Sequence, residues 1–146
     1  MRVLVVLISL VALLYAGERV YRGFIRPIDP MPPEIIALAD HFERNGIKVS
    51  PYAVRHDFRH SEVQAVAAFK VAELPIPFIV FVCPDKRSAA VQLDTLKGDG
   101  VRRTGQNGRM VLDLGLWADD DQERALKIID IFKAFDSELT ARKQAP

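Results

Sequence analysis

The stretch Ile76 to Cys83, IPFIVFVC, decides the fold. It is an unbroken apolar run with a proline pair at its front, Pro75 and Pro77, and Pro84 behind. A run this short, rich in aromatic and β-branched residues and bounded by prolines, reads as a strand buried on both faces, because a helix would need more length and would meet those prolines. The rest of the chain has to cover it.

Upstream of that strand, Pro33 and Glu34 open a helix whose Ile35, Leu38, Ala39 and Phe42 recur at i, i+3, i+4 and i+7, and Asn45-Gly46 ends it. Ile47 to Arg55 reads as a strand, and Pro51 within it implies an edge or a bulge. Ser61 followed by Gln64 has the form of a capping box, which predicts a second helix from Glu62 to Leu74. Downstream, a third helix is expected after Pro84, with Ala89, Ala90, Leu93 and Leu96 as its stripe. Val101 to Thr104 and Arg109 to Trp117 flank an Asn107-Gly108 hairpin signal, and a last helix from Asp119 carries Leu126, Ile129, Phe132 and Phe135 inward. The element order is α-β-α-β-α-β-β-α, which predicts an α/β fold: a small mixed four-stranded sheet covered by helices, its first three strands parallel. A two-layer ferredoxin-like α+β sandwich is the alternative.

The N-terminal part differs in kind. Val3, Leu4, Val5, Val6, Leu7, Ile8, Leu10, Val11, Leu13 and Leu14 form an apolar run, VLVVLISLVALLYA, that extends to Ala16 with Ser9 as its one polar member. It is shorter than the ~20 residues that comfortably span a bilayer core and has the length of a signal-peptide core or a minimal anchor. Cleavage after Ala16 or Gly17 would place Leu14 or Tyr15 where a small residue is needed, so the segment reads as an uncleaved anchor. Arg19, Arg22 and Arg26 follow it and argue for a cytoplasmic domain, whereas the two-residue lead of Met1 and Arg2 argues for export, and the exported side is the expectation. Pro27 to Pro33, PIDPMPP, is a stiff spacer of roughly 20 Å. The organisation is therefore anchor and basic flank 1–26, linker 27–33, one domain 34–136 and a polar tail 137–146.

Twenty basic and nineteen acidic residues leave a formal net charge of +1, so nucleic acid is not an expected partner, and an anionic surface would have to be met by a local patch. One cysteine excludes an internal disulfide and a multi-cysteine zinc site. His56, Asp57 and His60, with Glu62 just beyond, carry donor types that suit zinc, copper or nickel, but their loop spacing matches no established motif, and a solvated loop explains them as well. His41 lies outside the apolar stripe of its helix and reads as a surface residue. Cys83 falls between a strand end and a helix start, where a thiol can be activated. Yet Ala89 occupies the place of a phosphatase-loop arginine and Lys86 that of a second redox cysteine, so Cys83 reads as structural. The bilayer is the expected partner, with an unidentified protein as a second; no cofactor is expected. These features predict a membrane-anchored, non-catalytic binding or assembly module. The alternatives are a metal-dependent or thiol enzyme using His56, Asp57 and His60 or Cys83, and a secreted domain released by cleavage.

Overall fold

A computed structural model describes Tyr15 and residues 30–55, 63–98 and 103–135. Among these residues the fold is a mixed α/β arrangement of one five-stranded antiparallel sheet and three helices. In chain order the elements are α1 (Pro33–Arg44), β1 (Val49–Ala53), β2 (Ala65–Val71), β3 (Phe78–Val82), α2 (Lys86–Gly98), β4 (Thr104–Asn107), β5 (Met110–Asp113), a 3-10 turn (Leu116–Asp119) and α3 (Gln122–Ala134). The sheet order is β1-β2-β3-β5-β4, so β3, the strand inside IPFIVFVC, lies at its centre.

The expected second helix is instead β2, and this raises the strand count from four to five. Ala65 to Val71 is buried on both faces apart from Lys70. Its alternate residues Ala67, Phe69 and Val71 face one core, while Val66 faces the other. A fully buried strand and a buried helix both read as continuous apolar sequence, and the capping pattern in front of this run favours the helix. The capping pattern at Ser61 and Gln64 has no helix to cap: the Gln64 N–H donates to Val82 O at 2.7 Å, in continuation of the β2–β3 ladder. With that helix gone, no crossover joins the first three strands. They run antiparallel, since a parallel pair needs a long crossover connection.

Two layers of helix enclose the sheet. On one face α1 and α3 pack over Phe69, Phe78, Val80, Val82, Met110 and Leu112. On the other, α2 covers Phe81 and Val111 with Ala89 and Leu96. Helices on both faces exclude the two-layer alternative. Phe69 and Phe78 are directly opposed across β2 and β3, with rings 5.1 Å apart and nearly parallel at 6°, and Phe42 of α1 approaches them at 6.0 and 5.5 Å.

Pro51 sits on an edge strand, as expected. The Val54 N–H donates to Val66 O, so residues 54, 52 and 50 bond inward and the amide position of Pro51 points outward. The proline removes no ladder bond and deprives the open edge of a donor, which discourages strand addition. At the other end of the sheet β5 stops at Asp113 rather than running to Trp117. There the Asp113 carboxylate accepts the Gly115 N–H at 2.9 Å, and Gly115 turns the chain with φ +73°. Two stripe assignments also change: Ala90 of α2 and Leu126 of α3 face solvent, and Ala125 and Ile128 take the inward positions on α3.

Candidate functional site

One end of the sheet gathers the most side-chain chemistry. It holds the start of α1, the end of β1, the start of β2, the end of β3, the start of α2 and the β4–β5 turn. Arg109 joins four of these. One of its terminal nitrogens bonds the Glu34 carboxylate, and the other donates to Gln64 Oε1 at 2.9 Å and to Cys83 O at 3.3 Å. The ends of β1 and β2 at this end lead into 56–62, so His56, Asp57 and His60 lie outside the described residues. Among the described residues, no three His, Cys, Asp or Glu side chains converge to hold a metal ion.

Cys83 sits at the strand-to-helix junction, fully buried in the core beneath α2 with Phe81, Ala89 and Val111. Its N–H donates to Arg109 O at 2.9 Å. Two residues later, Asp85 caps α2: its Oδ1 accepts the Ser88 N–H at 2.8 Å. That hydrogen bond holds the Asp85 carboxyl below its ordinary pKa, with lesser help from Arg87. A carboxyl depressed in the fold contributes stability above its unfolded pKa of about 4 and loses it as pH falls through the lower folded value. Urea titrations across that range should therefore show Asp85→Asn, which preserves the cap, losing less stability than the parent as pH falls below about 4.

His41 is not a surface residue. Its Nε2 lies 3.0 Å from Ile131 O, and its ring meets Phe135 edge-on at 5.4 Å, so it ties α1 to α3. Sequence reasoning also missed Asn107, expected in the hairpin turn. The turn is Gly108-Arg109, with a left-handed φ of +55° at the glycine, and Asn107 pairs with Met110 in the ladder. Its Nδ2 donates to Phe132 O at 2.7 Å and to Phe135 O at 2.5 Å, closing the C-terminus of α3 from another element. Nothing in the local sequence marks that role.

At the opposite end a half-open cleft of about 590 Å³ lies among Gly46, Lys48, Glu73, Asp121, Arg124 and Ile128. Arg124 is held there by Asp121 Oδ2 at 3.2 Å and by Glu73 O at 3.3 Å. Cations and carboxylates are interleaved around this cleft, so it presents no single charge to a ligand.

Comparison with known protein families, with curated proteins and with solved structures gives no match. The functional reading therefore rests on this chain's own residues. No helix among the described residues is long and apolar enough to cross a membrane, and residues 3–14 lie outside that set.

Proposed function

We propose that the protein is a membrane-anchored binding or assembly module, held by residues 3–16 and spaced from the bilayer by Pro27 to Pro33, with its domain on the exported side. The observation that carries this reading is the apolar run Val3 to Ala16, joined through a proline-rich spacer to α1. The non-catalytic part of the reading is supported by the use made of the polar groups nearest the central strand. Arg109 bridges Glu34, Gln64 and Cys83 O, Asp85 caps α2, and Cys83 is packed in the core.

Alkaline carbonate extraction of membranes from cells making the full chain, followed by intact-mass measurement, tests the anchor. The protein should stay in the pellet with residues 1–16 still attached. A carbonate-soluble protein whose mature N-terminus lies near Gly17 or Glu18 would instead establish the secreted alternative.

A further inference from the structure

The chain has two asparagines, Asn45 and Asn107, and each directly precedes a glycine. That pairing carries its own chemistry, because a residue without a Cβ lets its backbone nitrogen approach the preceding side chain. The glycine nitrogen attacks the amide carbon Cγ and closes a succinimide ring: the N–Cγ bond forms, the Cγ–Nδ2 bond breaks, the glycine N–H gives its proton to solvent and Nδ2 leaves as ammonia. Water then opens the ring at either carbonyl, leaving aspartate or its isomer with the backbone running through the side chain. The step consumes water, releases ammonia and needs no oxidant.

The fold treats the two sites differently. Asn45 caps the C-terminus of α1, and Glu43, Arg44, Asn45 and Gly46 are all exposed. Its Nδ2 donates to His41 O at 2.8 Å and the Gly46 N–H to Glu43 O at 3.0 Å, both in the last turn of the same helix. Nothing lies within 4 Å of the place a Cβ on Gly46 would take, so ring closure there meets no neighbour. Fraying of that exposed helix end frees both groups. Asn107 is half-buried, and its Nδ2 is held by Phe132 O and Phe135 O of another element. Both phenylalanines are buried, so this amide is released only when the end of α3 leaves the core. We infer that Asn45 is a self-modification site of the folded protein, deamidating without an enzyme, while α3 holds Asn107 as the amide. At Asn45 the product adds a carboxylate at the C-terminus of α1, next to the cleft that Gly46 and Lys48 line. At Asn107 the same reaction is one-way, since it requires α3 to open and leaves a carboxylate that has no hydrogen to donate when α3 returns.

Incubation of the full chain in detergent micelles at mildly alkaline pH, across a urea series, tests this. Samples taken over time are digested in acid, and the two Asn-Gly peptides are read by mass spectrometry while circular dichroism follows unfolding. Without urea, Asn45 should be lost at least about tenfold faster than Asn107, the factor set by the hydrogen bonds that α3 contributes. Both aspartate and its isomer should appear at position 45. Through the unfolding transition the Asn107 rate should climb to meet that of Asn45, because the unfolded chain presents two like pairs. Equal rates without urea, or an Asn45 amide lost only through the unfolding transition, would overturn the inference.

Discussion

Phe78→Ala is expected to destabilise the domain by about 3–5 kcal/mol, as large-to-small changes at fully buried aromatic sites do. Folded domains are stable by only about 5–15 kcal/mol, so the variant should unfold at markedly lower urea concentration or be largely unfolded at physiological temperature. Phe78 has no exposed surface, stacks on Phe69 and meets the edge of Phe42, and its removal leaves a cavity between β2, β3 and α1 that neither neighbour can fill without leaving its own contacts. Ile79→Ala, one residue along and on the opposite face, is the control. Ile79 is only partly buried, so its truncation should cost clearly less. Phe69→Ala should match Phe78→Ala, and the double variant should cost less than the two together because both rings border one cavity. A Phe78→Ala loss below about 1 kcal/mol would contradict the packing described.

Asn107→Asp should cost about 2–3 kcal/mol at neutral pH, more than Asn107→Ala. The amide donates to carbonyls at the C-terminus of α3, where the helix dipole is negative. A carboxylate there withdraws the donor and adds a like charge, whereas alanine only withdraws the donor. The introduced carboxyl should have its pKa raised by that setting. Its penalty is then absent below the unfolded value of about 4 and grows as pH rises through the folded value. Chemical denaturation at pH 3.5 and pH 7, two illustrative points roughly either side of that range, should show the gap from Asn107→Ala narrowing in acid. An equal loss for both variants at neutral pH would mean that the α3 carbonyls do not depend on this donor.

The features readable from sequence were those whose cause is local. Pro33, Glu34, the Ile35-to-Phe42 stripe and Gly46 with φ +82° place α1 almost to the residue, and the prolines around IPFIVFVC mark the central strand. β2 was misread because helix and strand differ there only in what lies beside them: Ala67 and Ala68 are small enough for either, and the partners that settle the matter are β1 and β3. That one error also produced the parallel topology and the missing strand. The roles of His41, Asn107 and Arg109 were hidden for another reason. Their partners lie from 25 to 90 residues away for the bonds to Cys83, Phe132 and Ile131, a separation at which no spacing rule operates.

We propose an anchored domain displayed on the exported side of the bilayer. Protease treatment of right-side-out membrane vesicles from cells making the full chain, with and without detergent, tests it most directly. The 34–136 domain should be cut without detergent while the 3–16 segment stays with the membrane; a domain protected until detergent is added would contradict the exported arrangement.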